Sequence, residues 1–405
     1  MRAHDAPWLS LGLLAAAHAL AIPAAAAVQA APAASLDQPW SAERANAWYA
    51  RQPWLVGANF VPADAINQLE MWQADSFDPG EIDREFGLAE GLGMNTMRVF
   101  LHDLLWAQDP EGFRGRIDTF LTIAARHHIR PILVLFDSDW DPDPKLGPQR
   151  PPIPGVHNSG WVQSPGARGL EDPAQAARLE AYVKGVVGAF AHDPRILAWD
   201  VWNEPDNPGG GNYDLEEPPH KAELVARLLP RAFEWARSQG PVQPLTSAVW
   251  QWQGDPLTRR MWQGEDWSRG RPLNPVQTIQ LAQSDVITFH NYDWPEAFAE
   301  KIRQLRTWGR PILCTEYMAR GAGSTFDGDL PIAKRLNVGV VNWGLVEGKT
   351  QTNLPWDSWE RPYVGLQPTV WFHDIFYPDG RPYREREAQE LRAFTAAPKG
   401  VVPAP

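Results

Sequence analysis

Two glutamates in this sequence stand at the ends of apolar runs, where a carboxyl group is delivered to a surface instead of into a core. Residues 196–205 read Ile-Leu-Ala-Trp-Asp-Val-Trp-Asn-Glu-Pro, an apolar stretch broken once by Asp200 and ending in Asn203-Glu204-Pro205. Such a run reads as a strand buried on both faces, and Pro205 cannot continue its ladder. Pro311-Ile-Leu-Cys-Thr-Glu-Tyr delivers Glu316 in the same way. Cleavage of a glycosidic bond needs two carboxyl groups, one to protonate the leaving oxygen and one to act on the anomeric carbon. Their protonation states must differ, one neutral and one ionised. A nearby cation such as Arg98 would hold the second as a carboxylate.

Eight apolar runs are placed to present such residues: 54–60, 96–101, 131–136, 196–204, 245–250, 286–292, 312–317 and 338–345. Stretches of helical period separate them. Ile82, Phe86, Ala89 and Leu92 share one face before Gly93, and Leu179, Tyr182, Val183, Val186, Val187 and Phe190 share another. Val225, Leu228, Leu229, Ala232 and Phe233 do the same around Pro230, an expected kink, and a charged last helix is expected over 384–397. Strands alternating with helices predict an α/β fold, a single (β/α)8 TIM barrel over 51–397, with chemistry at the C-terminal strand ends. An open doubly wound sheet is the alternative, but no glycine-rich phosphate turn follows any strand.

The strand ends carry Arg98, His102, Asp137, Asn203, Glu204, His290, Asn291, Tyr292, Glu316, Tyr317, Asn342 and Trp343. Long Pro-rich loops are expected after strand three (138–172) and strand eight (346–382). Trp140, Trp161, Trp250, Trp252, Trp356 and Trp359 sit in or beside rim loops, where flat rings can line sugar subsites. Asp137, Asp139, Asp141 and Asp143 alternate like a calcium loop. Pro142 and Pro148 occupy its glycine and twelfth positions, so no metal is expected.

A net charge of −12 argues against a nucleic-acid partner. Cys314 is the single cysteine and reads as a small core residue. Residues 1–30, apolar and Ala-rich with small residues near Ala27 and Ala30, read as a signal peptide. Export to the periplasm or beyond the cell is expected, with no membrane association after cleavage, a flexible lead-in over 31–50 and a tail over 398–405.

The Asn203-Glu204 pair together with His290-x-Tyr292 resembles the retaining glycoside hydrolases of clan A, and most of all family 5, over about residues 54–397. That resemblance implies Glu204 as acid/base, Glu316 as nucleophile and Asn203 as the amide on the sugar 2-hydroxyl. It implies Arg98, His290 and Tyr292 as support for Glu316, and Trp343 as the aromatic floor beneath the sugar. Where family 5 carries a histidine at the end of strand three, this chain has Phe136-Asp137, so Asp137 is expected at the substrate there. Thr315-Glu316-Tyr317 and Trp371-Phe372-His373-Asp374 are similar to family 2 barrels, which are often exo-acting. The resemblance implies a β-linked oligo- or polysaccharide substrate and no cofactor. A catalytically silent carbohydrate-binding barrel and a transglycosylase using the same residues are the other readings. The two long loops are expected to wall off part of the cleft.

Overall fold

The apolar runs pair in parallel, each with its successor. In the computed structural model, which describes residues 38–209, 212–213, 215–251 and 265–403, the strands are β1 (Val56–Phe60), β2 (Thr96–Phe100), β3 (Ile132–Asp137), β4 (Ala198–Asn203), β5 (Leu245–Thr246), β6 (Ile287–His290), β7 (Ile312–Tyr317) and β8 (Gly339–Trp343). They form one sheet in the order β5-β4-β3-β2-β1-β8-β7-β6. A parallel bridge between Val249 and Phe289 joins its two edges, with Val249 N donating to Thr288 O (3.0 Å) and His290 N to Val249 O (3.0 Å). The result is a (β/α)8 barrel.

Strand five is shorter than the expected 245–250. Side chains take the place of its ladder: Ser284 Oγ accepts from Ser247 N (3.2 Å), and Gln280 Nε2 donates to Ala248 O (2.5 Å). With those backbone groups satisfied, no longer pairing is required.

A helix of nine or more residues follows every strand, and three show how the sequence starts them. Pro79–Gly91, Pro110–Arg126 and Pro275–Gln283 each begin with proline behind an Asp or Asn cap (Asp78, Asp109, Asn274) whose side chain accepts first-turn N–H groups. Their apolar faces cover the barrel: the Phe86 ring lies 4.7 Å from Phe60 and 5.3 Å from Phe120. The helix Lys221–Arg237 runs through Pro230.

The lead-in departs from expectation. Ala42–Ala50 is a helix capped by Ser41, and Trp40, Trp48 and Tyr49 are buried with Leu55, Ile132, Leu197, Val286 and Leu313. Those partners stand at the starts of strands, so this segment plugs the N-terminal mouth of the barrel. The surrounding Ala/Pro-rich composition masked that aromatic stripe. The expected signal peptide lies outside the described residues, none of whose helices is long and apolar enough to cross a membrane.

Close approach of β1 to β2 gives a test of the register. Gly57 pairs with Thr96, and a Cβ there would stand 1.9 Å from the Thr96 carbonyl oxygen, whereas Gly91 has open space. Gly57→Ala is expected to lower stability by about 1–3 kcal/mol. Gly91→Ala should change it little or raise it by up to about 1 kcal/mol. Denaturant midpoints of the two variants check both.

Candidate active site

Strand register brings the polar strand ends together. Asn59 on β1 lies level with Arg98 on β2 and with Trp343 on β8. Asp137 pairs with Asn203, and His290 with Glu316. The β6–β7 and β7–β8 pairings both shift register near these residues, and such irregularities re-aim side chains at a barrel rim. Above them lies a cleft of about 770 Å³, lined in part by Glu204, His290, Tyr292, Glu316 and Trp343.

Glu204 follows β4 with φ of 39°, in the left-handed region, a conformation that costs a non-glycine residue about 1–3 kcal/mol. Its Oε2 accepts from Asn207 Nδ2 (2.7 Å), and its Oε1 lies 2.7 Å from His290 Nδ1. Across the cleft, Glu316 Oε1 accepts from Arg98 Nη1 (2.9 Å) and Oε2 from the Tyr292 hydroxyl (2.8 Å). One oxygen of each carboxyl group and a ring nitrogen of His290 lie within 4.8 Å of one another.

Burial pushes the Glu204 carboxyl up to about 7, against the Asn207 hydrogen bond and the charge of Arg98. Burial also pushes Glu316 up and Glu204 adds to that, while His290, Arg98 and the Tyr292 hydroxyl oppose the shift without reversing it. Burial drives His290 down to about 4, so at neutral pH its ring is uncharged and Arg98 is the cation facing Glu316. One carboxyl able to carry a proton at neutral pH thus opposes one held by a guanidinium, and such a pair can donate a proton and attack carbon in one event. The same trio is close enough to hold a metal ion, but Arg98 already neutralises Glu316 and disfavours a second cation there.

The expected substrate contacts Asn203 and Asp137, with Arg98, lie beneath the cleft and do not line it. Arg98 is fully buried, donating to Asn59 Oδ1, Asp200 Oδ2, Asn203 Oδ1 and Glu316 Oε1. Asn203 is also fully buried, and its Nδ2 donates to Asp137 Oδ1 (2.9 Å) and Asp139 Oδ2 (3.1 Å). Asp137 in turn accepts from Gln68 Nε2 (3.0 Å) and Trp161 Nε1 (2.5 Å). These groups position one another, and Asp139, two residues further on, reaches the cleft instead. Trp161 is likewise core, its ring 5.9 Å from Trp343, which it backs. Trp140, Trp250, Trp356 and Trp359 do line the cleft; Trp252 lies outside the described residues. Asp139, Asn207, His157 and His373 line it too. None of these was singled out as a site residue, because each sits in a loop without periodicity.

The loops after β3 and β8 are joined to each other. Asn158 N donates to Thr350 O (2.7 Å), His157 N to Ser358 Oγ (2.8 Å) and Tyr363 N to Gly155 O (2.9 Å). Gln351 Nε2 donates to Ile153 O (2.8 Å) and Val156 O (2.9 Å), and the Trp140 and Trp359 rings stack at 5.1 Å. Together they make a continuous wall along one side of the cleft.

The raised carboxyl of Glu204 has a consequence for stability. A carboxyl whose folded value exceeds its unfolded value stabilises the fold at low pH, and that contribution is lost as pH rises through about 7. Glutamine does not titrate. Glu204→Gln is therefore expected to match the wild type near pH 4.5 and to exceed it at pH 8, by on the order of 3 kcal/mol at about 1.4 kcal/mol per pKa unit. Denaturant midpoints across that range check the trend.

No family model matches the chain, and no curated relative matches it. Solved structures do match in fold. An exo-β-1,4-mannosidase from Opitutaceae bacterium strain TAV5 aligns at 18% identity with a TM-score of 0.53, over 84% of this chain and 59% of that one. GH5_18 from Streptomyces cattleya, in complex with GlcNAc, aligns at 14% identity and TM-score 0.53, over 88% of this chain and 82% of that one. An endo-β-1,4-mannanase from Thermotoga petrophila aligns at 15% identity and TM-score 0.51, over 86% and 77%. The chain spans 59% of the length of the first of these neighbours. Its architecture is thus the (β/α)8 barrel that these structures share.

Proposed function

We propose that the protein is a retaining β-glycoside hydrolase that acts on the ends of β-linked oligosaccharides. The observation that carries this reading is the approach of the Glu204 and Glu316 carboxyl oxygens to within 4.8 Å. Retaining enzymes hold their carboxyl groups about 5–5.5 Å apart, and inverting ones leave room for a water between them. In the first step Glu204 gives its proton to the leaving oxygen while Glu316 bonds to the anomeric carbon. In the second, Glu204 takes a proton from water, the water oxygen bonds to that carbon, and Glu316 is released. Arg98 and Tyr292 keep Glu316 ionised for attack and receive its charge back on release. Two carboxyl groups supply nucleophile and proton, so the chemistry asks for no cofactor.

The joined loops support the choice of chain ends. A polymer interior needs a groove open at both ends; action on chain ends takes the wall built from residues 153–158 and 350–363 beside Trp343 to bar one of them. Two of the solved neighbours are a β-1,4-mannosidase and a β-1,4-mannanase, so β-mannosides are the first substrates to try.

The two glutamates should fail differently. With Glu316→Ala, added azide is expected to give a glycosyl azide of inverted configuration. With Glu204→Ala, an aryl glycoside with a good leaving group should still form the intermediate, and azide should give the retained product. Proton NMR of the azides reads the outcome, and the same configuration from both variants would reject the roles. On end-labelled β-linked oligosaccharides, stepwise loss of one or two units is expected. Early mid-length fragments would reject action at chain ends.

A further inference from the structure

Two histidines outside the carboxyl pair face the cleft, and each is fixed by the backbone of a different element. His157 belongs to the loop after β3, and its Nδ1 lies 2.8 Å from Leu354 O in the loop after β8. His373 belongs to the loop after β8, and its Nδ1 lies 2.6 Å from Met318 O, just past β7. A carbonyl oxygen only accepts, so both Nδ1 atoms carry the proton and both Nε2 atoms keep a lone pair. The rings stand 5.5 Å apart. His373 lies 5.6 Å from the ring of Tyr292, whose hydroxyl touches Glu316. The pair is therefore next to the reacting centre and at the seam where the two loops join.

The surroundings hold this arrangement firmly. Met318 and Asp374 have φ of 71° and 54°, strained values on either side of the His373 contact. Arg320 Nη1 donates to His373 O (2.6 Å) and its Nη2 to Asp374 O (2.9 Å), while Thr352 Oγ1 donates to the Asp374 carboxylate. Phe372 and Trp356 pack against the His373 ring at 4.7 and 6.0 Å. Burial pushes His157 down to about 4, and His373 lower than usual as well, aided by Arg320. Both imidazoles are thus neutral at physiological pH and cannot donate from Nε2.

We propose that His157 and His373 form a hydroxyl-reading pair beside the wall that the joined loops make along the cleft, their Nε2 atoms accepting hydrogen bonds from hydroxyl groups of the terminal sugar. The assignment rests on the glycosidase reading for its ligand, a sugar. An acceptor-only pair between aromatic walls favours a ring that offers donors there, and rejects an analogue lacking them, because a buried acceptor is then left unpaired.

The test uses the full chain and monodeoxy analogues of a methyl β-mannobioside and of the matching aryl β-mannoside. Both Kd and kcat/KM are measured for wild type, His157→Phe, His373→Phe and the two glutamine variants. The wild type should lose about tenfold or more on at least one terminal-sugar deoxy analogue. In a phenylalanine variant that penalty should fall to within about twofold, with the parent compound weakened and the deoxy compound unchanged. Glutamine, whose side-chain oxygen can accept near the Nε2 position, should restore part of it. Uniform weakening of parent and analogues alike would overturn the pair while leaving the glycosidase reading intact. Binding with the expected penalties but without cleavage would do the reverse, and absence of binding to every compound would overturn both.

Discussion

A guanidinium buried at the centre of a barrel has to be answered from all sides, and Arg98 sets that requirement here. Its donors reach Asn59 on β1, Asp200 and Asn203 on β4 and Glu316 on β7. Removing one partner of a buried ion pair leaves an uncompensated charge and costs about 3–5 kcal/mol. Strand register in the upper barrel is thereby tied to electrostatics: a slip of β4 or β7 would orphan the arginine. The same contacts hold Asn203 in place, and through it Asp137 and Asp139. A charge that the fold must neutralise thus also orders the groups around Glu316.

Much of this was legible in the sequence. Alternating apolar runs and amphipathic stretches are local signals, and they indicated eight strands, their helices and the polar rim. At strand ends the reading blurred, because inward and upward directions differ there by a single residue. Asp137 and Asn203 read as substrate contacts, yet their side chains turn into the floor, and Asp139 takes the cleft. Bulges beside His290 and Glu316 leave no mark in composition. Trp161 reads like Trp140 in sequence, and only the Asp137 contact shows one to be core and the other lining.

The long loops were illegible for another reason. Their shape comes from backbone groups meeting across nearly two hundred residues, as between Asn158 and Thr350. No periodicity within either segment encodes such pairing, so His157 and His373 could not be matched beforehand. The opposite barrel mouth was hidden in a simpler way. Trp40, Trp48 and Tyr49 follow an Ala/Pro-rich stretch, and composition averaged over the whole lead-in conceals a stripe of three aromatic residues.

The joined loops bear on traffic as well. In a cleft that takes only chain ends, as proposed, there is a single doorway, so whatever lies deepest has to depart the way it arrived, and only after the portion nearer solvent has gone. Release is then ordered, outer fragment first and innermost unit last. A chain cannot be threaded through and advanced by one step; it has to let go completely and dock again. Shortening of a long substrate would proceed by many separate encounters, spread evenly over all molecules present, and the innermost product, while still lodged, would keep the next arrival waiting.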